Sequence, residues 1–364
     1  MGAPRQVTFV VAATLLSLVT ATFAQAPPAS FEAALPEGVH ATFLVRFDKA
    51  LPEAARRALH FDVDRDGNPV LLAGNTLVVP GDAPDAPVET LEVAGVERVD
   101  AFACMTDGTM LVVSGRDLGQ LTDTGFQKML TLPAEHMRVA PASREACYLL
   151  GGDTPDARRD VWLYEKGGKL LHLVRAESPV TAVAGAGEAT FFAVGNSVFL
   201  HVRSKDLPGT LRLVHTADDA VTALALSPPS GVFCATAKGV AYVAGPGSGF
   251  TFLRGKGARL STHGETLYLF FGDEGVMRCS PVTLFEKMNH DLAMRNTDGG
   301  VKLTATGRRA IEQGLQAVTV NDWEAAIRHF DTARADAPYA PEVLYNLGLA
   351  CDRSGSRDVL AIVW

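Results

Sequence analysis

From Leu59 to Phe271 the chain alternates short apolar runs with turns rich in Gly, Asp and Asn, and the alternation keeps a period. Each unit opens on a strand run near Leu59, Val99, Val139, Val180, Val221 or Leu260, at spacings of 40, 40, 41, 41 and 39 residues. Val180-Thr181-Ala182-Val183 and Val221-Thr222-Ala223-Leu224 are the clearest matching pair. Polar turns follow, strongest in Asp66-Gly67-Asn68 and Asp107-Gly108-Thr109, which carry the D-G hairpin signal. More apolar second strands come next: Val70–Ala73, Met110–Val113, Cys147–Leu150, Thr190–Val194, Val232–Ala235 and Leu267–Phe271. Shorter third strands include Val161–Tyr164, Val198–Val202, Val240–Val243 and Val276–Cys279. Weaker fourth strands are read at Leu91–Val93, Met129–Leu132, Leu170–Val174, Leu211–Val214, Phe250–Leu253 and Thr283–Glu286.

Four short strands per forty residues, six times over, predict a six-bladed β-propeller across residues 57–288. One four-stranded sheet cannot cover both its faces, whereas blades stacked around an axis cover each other. The near-continuous apolar second strands fit a sheet buried on both sides. Residues 39–47 alternate Val39, Ala41, Phe43, Val45 and Phe47 with more polar neighbours, which predicts one further strand within the segment 25–56. It either completes the last blade and ties the ring, or packs as a loose edge strand on the first.

Residues 289–306 form an Asn-, Asp- and Gly-rich linker, after which the hydrophobic period changes from two to about 3.6. Gly314 and Gly348 stand 34 residues apart. Ala326, Phe330, Ala333 and Pro338 in one unit, and Leu344, Leu347 and Gly348 in the next, make residues 307–364 resemble the tetratricopeptide repeat family. Gln313 and Ala310 depart from its usual residues, as in a capping first repeat. The resemblance implies an α-solenoid whose first helices line a peptide-binding groove. Ile311, Leu315 and Val318, then Tyr345, Asn346, Leu349 and Arg353, match its groove-facing places. The second unit stops at Trp364, its 24th position, so a truncated array is expected, with more solenoid to follow.

Residues 1–24 have the layout of a secretory signal: Arg5, an apolar stretch from Val7 to Val19, then small residues with cleavage near Ala24. That predicts a secreted or periplasmic product without a stable membrane span. A net charge of −8 with no basic run leaves no electrostatic footprint for nucleic acid. The five cysteines show no C-x-x-C spacing and sit in apolar runs, as buried hydrophobes do.

The chemical motifs mostly fail. Asp62-Val63-Asp64-Arg65-Asp66-Gly67 opens like a calcium loop, but Val70 and Ala73 stand where closing acids belong, so a hairpin turn is the reading. No G-x-S-x-G elbow, H-x-H or H-E-x-x-H occurs. No catalytic residue, metal site or cofactor is predicted. The longest loop between second and third strands, Gly151–Asp160, offers Asp153, Arg158, Arg159 and Asp160 for binding. The expectation is therefore an exported, non-catalytic scaffold for protein or peptide partners. The alternative is a gluconolactonase-like propeller hydrolase with a tetratricopeptide docking tail. Such hydrolases carry acidic metal ligands in the axial channel, so Asp, Glu, Asn or His side chains converging on the axis would mark the alternative. The first strands offer few.

Overall fold

A computed structural model describes residues 32–45, 60–80, 88–142, 146–186, 189–203, 210–227, 231–245, 248–288, 304–337 and 341–354. The segment 1–24 expected to be a secretory signal, most of the expected linker and residues 355–364 lie outside them.

The strand repeat builds six antiparallel four-stranded sheets. The first holds β2 (Phe61–Val63), β3 (Pro69–Ala73), β4 (Thr76–Val79) and β5 (Glu89–Glu92). The second holds β6 (Ala101–Cys104), β7 (Met110–Ser114), β8 (Asp117–Thr122) and β9 (Gly125–Thr131). Blade three is β10 (Arg138–Pro141), β11 (Ala146–Leu150), β12 (Asp160–Glu165) and β13 (Lys169–Arg175). Blade four is β14 (Val180–Ala186), β15 (Ala189–Val194), β16 (Ser197–Val202) and β17 (Thr210–Thr216). Blade five is β18 (Val221–Ser227), β19 (Gly231–Thr236), β20 (Gly239–Gly245) and β21 (Ser248–Arg254). The last contributes β22 (Arg259–His263), β23 (Thr266–Phe270) and β24 (Val276–Ser280).

The sixth blade takes its outer strand from the other end of the chain. β1 (His40–Val45) runs antiparallel to β24, with Ala41 opposite Cys279 and Thr42 opposite Arg278. The fourth strand expected at Thr283–Glu286 is a correction: residues 283–288 are helical. β1 already occupies the free edge of β24, and Val282 and Phe285 turn inward and are fully buried instead.

Burial explains the ring. The buried apolar residues fall into clusters that each span a seam between neighbouring blades, and the seams run round the circle. Leu71 and Val78 of blade one meet Tyr268 and Phe270 of blade six, which closes it. Polar links cross the same seams: Tyr148 Oη lies 2.9 Å from Thr190 Oγ1, and Thr262 Oγ1 donates to Leu226 O at 2.6 Å. All five cysteines are buried and unpaired; burial pushes the Cys147, Cys234 and Cys279 thiols up to about 12. The calcium-like run is a turn, with Asp64 Oδ1 accepting from Asp66 N and Asn68 N at 2.9 and 2.8 Å.

Three helices follow: α1 (Ala305–Thr319), α2 (Trp323–Asp336) and α3 (Pro341–Ser354). Thr304 caps α1 by accepting from Gly307 N, and Asp322 caps α2 by accepting from Ala325 N. Three helices are the extent of the described tail, and they do not show a tetratricopeptide solenoid. Gly314 fixes how closely α1 and α2 approach, because a Cβ there would meet the Phe330 ring at 2.5 Å. Gly314→Ala should therefore destabilise the helical segment by roughly 1–3 kcal/mol, outweighing the roughly 1 kcal/mol that Ala gains over Gly in a helix. Helical circular dichroism would be lost at lower temperature while the near-ultraviolet signal of the propeller holds. An unchanged melt would show that the ring simply moves aside.

Candidate functional site: a cationic channel mouth

One face of the ring is defined by tied turns. In blade one, Asn75 of the β3–β4 turn donates from Nδ2 to Glu97 O and accepts from Val99 N, gripping the start of the next blade. In blade four Asn196 of the matching turn donates to Ala217 O, just past β17, at 3.0 Å. This face gathers the turns between second and third strands with the starts of the first strands. In its centre lies a depression of about 790 Å³, lined in part by Gly151, Gly152, Thr181, Thr222 and Phe271. Below it the axial channel, about 420 Å³, runs between the first strands of the six blades.

Two arginines stand where mouth meets channel, and each lines both spaces. Arg138 opens β10 and Arg259 opens β22, on opposite sides of the six-blade ring. Arg138 is half-buried and donates to Thr181 O and Val180 O at 2.8 and 3.2 Å, which fixes it against blade four. Burial and the charge of Arg259 both press the Arg138 pKa down; burial does the same to Arg259. Neither forms an ion pair with a carboxylate among the described residues. His60, just ahead of β2, lines the channel beside them: burial first, then Arg259 and Arg138, lower its pKa to about 4. Its imidazole is neutral at pH 7.

The nearest acids are committed elsewhere or set back. Asp62 is buried, accepting from Cys104 N (2.8 Å), Val63 N (2.9 Å) and Ser261 Oγ (2.7 Å), so it pins blades one, two and six together. Burial raises its pKa against the pull of those donors. Asp100 is buried at the start of blade two, with Oδ2 accepting from Gly115 N at 2.7 Å. Its Oδ1 lies 3.0 Å from both Arg98 Nε and His136 Nδ1.

The residues expected to bind partners are placed unevenly. Arg158 lines the mouth, its Nε donating to Gly152 O at 3.1 Å. Arg159 and Asp153 are exposed, and Asp153 Oδ1 accepts from Glu135 N at 3.3 Å. Asp160 is buried and spent on Arg175, whose Nε and Nη2 both reach it at 2.8 Å, and on His172 at 2.9 Å. These partners, Arg175 first, hold its carboxyl below the usual carboxylate range. In the helices Leu315 is exposed, Ile311 and Val318 pack against the helix cores, Asn346 and Leu349 are half-buried and Arg353 is exposed. The Tyr345 side chain lies outside the described residues.

Sequence reasoning missed Arg138, Arg259, His60 and His136. The signal is present once the six first strands are superposed: Met137-Arg138-Val139 and Ala258-Arg259-Leu260 put a cation inside an apolar run at matching places.

The acidic metal ligands expected of a gluconolactonase-like channel do not fit these residues. Among the described residues no three His, Cys, Asp or Glu side chains group as a metal ion would need. Of the channel-lining candidates His60, Asp62 and His263, Asp62 has its carboxylate filled by protein donors. Cationic groups, Arg138, Arg158 and Arg259, occupy the mouth instead.

No family model matches the chain, and no curated protein matches its sequence. Solved structures do match in fold. A gluconolactonase from Xanthomonas campestris superposes with a TM-score of 0.52 at 10% identity, covering 66% of this chain and 89% of its own. A catalytically inactive virginiamycin B lyase from Staphylococcus aureus, determined with quinupristin, gives 0.46 at 12% identity, covering 63% of this chain and 82% of its own. A streptogramin B lyase gives 0.47 at 10%, covering 66% and 97%. At these identities the likeness is one of fold. The expectation of a non-catalytic scaffold is corrected on this point: the propeller superposes on that of an enzyme, the gluconolactonase.

Proposed function

We propose that the chain is an exported propeller hydrolase of small esters or lactones, working at the channel mouth. The observation that carries it is the Arg138–Arg259 pair, two cations held across one cavity without a carboxylate partner among the described residues. Confining like charges in a partly desolvated site costs free energy, which a ligand bearing or developing negative charge offsets. Hydrolysis of a carbonyl ester does both: a neutral substrate passes through an oxyanion and ends as a carboxylate. Guanidinium groups aimed at the developing charge supply the electrostatic stabilisation that such a reaction uses. Arg158 and neutral His60 extend the same wall.

The gluconolactonase fold likeness makes glucono-1,5-lactone the first substrate to try and gluconate, its hydrolysis product, the anion to bind. Purified protein should hydrolyse the lactone above the spontaneous rate in a pH-stat and bind gluconate by calorimetry, with affinity falling in Arg259→Gln. Absence of both for the lactone and a panel of small esters would sink the reading.

The tail is proposed to be a tetratricopeptide-like helical segment that docks the chain to protein or peptide partners. The burial of Ala310, Ala326, Phe330 and Ala333, and the seat of Gly314 on the Phe330 ring, support that reading.

A further inference from the structure

We infer that His136, backed by buried Asp100, is the general base at this mouth; the inference rests on the hydrolase reading above. His136 lines the same depression as Arg138, Arg158 and Arg259. It follows blade two's last strand and precedes Arg138 by two residues. Its backbone is left-handed at φ 54°, a conformation that non-glycine residues adopt sparingly. The position is braced, since His136 N donates to Gly115 O at 3.0 Å and Gly115 N donates to Asp100 Oδ2 at 2.7 Å. One turn thus holds both the imidazole and the carboxylate.

The carboxylate is placed for the task. The Asp100 side chain is 4% exposed, and its Oδ1 lies 3.0 Å from His136 Nδ1. Neither that nitrogen nor Arg98 Nε aims a well-aligned hydrogen bond at Oδ1, which leaves a buried acceptor unfilled. A buried carboxylate oxygen lacking a donor favours the Nδ1–H tautomer and gains most when the ring becomes imidazolium. Pairs of this kind are often misaligned without substrate and tighten in the complex. With Nδ1 protonated, Nε2 carries the free lone pair; Glu135 Oε2 lies 3.9 Å from it, and Arg138, Arg158 and Arg259 line the same depression.

The step balances with water as co-reactant. Nε2 takes a proton from water while the water oxygen bonds to the carbonyl carbon. The carbonyl electron pair moves onto its oxygen, opposite the arginines. The tetrahedral intermediate collapses, the carbon–oxygen bond to the leaving alkoxide breaks, and His136 returns its proton to that alkoxide. The new carboxylic acid ionises to solvent. His136 is then a catalytic residue and Asp100 a positioning residue.

His136→Asn tests this, because Asn tolerates the left-handed backbone. Using glucono-1,5-lactone from pH 5 to 8, kcat should fall on the order of a hundredfold or more. Gluconate affinity should stay within about threefold, the acidic limb of the kcat/KM profile should vanish, and added imidazole should restore turnover. Asp100→Asn should lower kcat with KM unchanged; because Asp100 is buried, its fold is checked by circular dichroism. Nitrogen NMR of the imidazole should show Nδ1–H in the wild type and its loss in Asp100→Asn. Wild-type hydrolysis that survives His136→Asn with its pH limb intact would overturn the assignment. Absence of wild-type hydrolysis, with Nδ1–H still observed, would overturn the hydrolase reading and leave the pair as a structural brace.

Discussion

Arg259→Gln should cost about a hundred- to a thousandfold in kcat for lactone or ester hydrolysis, the range seen when one preorganised donor to an oxyanion is removed. It is the cleaner of the two arginines to test. Arg138 also donates to Val180 O and Thr181 O, so its loss would free two carbonyls at the seam with blade four. For Arg259 no side-chain hydrogen bond or ion pair is described, and its guanidinium is solvent-accessible at the mouth. Its removal should therefore leave the melting temperature nearly unchanged, or raise it slightly by relieving repulsion from Arg138. Gluconate affinity should drop at low ionic strength by more than at high, because salt screens an open cationic site. Steady-state kinetics in 20 and 500 mM salt, beside a melt of the same sample, separate these effects. A variant with wild-type kcat and wild-type gluconate affinity would remove Arg259 from the site and leave the cationic mouth without function.

Local chemistry carried most of the ring. D-G turns, glycines after second strands and runs such as Val232–Ala235 set each hairpin within a window of about ten residues, so a forty-residue period shows through. The outer strand of blade six was beyond that window. Thr283–Glu286 has strand-like composition, but the edge it would fill is taken by His40–Val45, over 230 residues earlier, and no local pattern records that pairing. The site was illegible for a related reason. Arg138 and Arg259 are 121 residues apart, and each alone reads as a surface charge at a strand start. Only closure of the ring sets them across one cavity. Loop length did point to Arg158, which lines the mouth, but the same reasoning enrolled Asp160, whose carboxylate Arg175 and His172 already hold.

Acidification should weaken the propeller through His60, and by an amount a melt can read. The folded imidazole titrates at about 4 instead of 6.5, chiefly because it is buried, then because Arg259 and Arg138 face it, with Asp100 pulling the other way. Between those values the unfolded chain binds a proton that the folded chain refuses. Stability from this group is therefore complete above about pH 6.5 and falls as the pH drops towards 4. At about 1.4 kcal/mol per pH unit the loss comes to about 3 kcal/mol. For a domain of this size that is roughly 6–12 °C in melting temperature. Asp160, with its lowered pKa, also loses stability on acidification, whereas Asp62, with its raised pKa, gains some. Both contributions are common to wild type and a His60→Gln variant, so the difference between the two melts isolates His60. The variant should lose roughly 6–12 °C less than the wild type between pH 7 and pH 4. In the Arg259→Gln background the gap should shrink, since one of the charges opposing His60 protonation is gone. Parallel curves for wild type and His60→Gln across that range would mean that water reaches the imidazole freely. The channel just below the mouth would then lack the partly desolvated, arginine-flanked wall that His60 contributes.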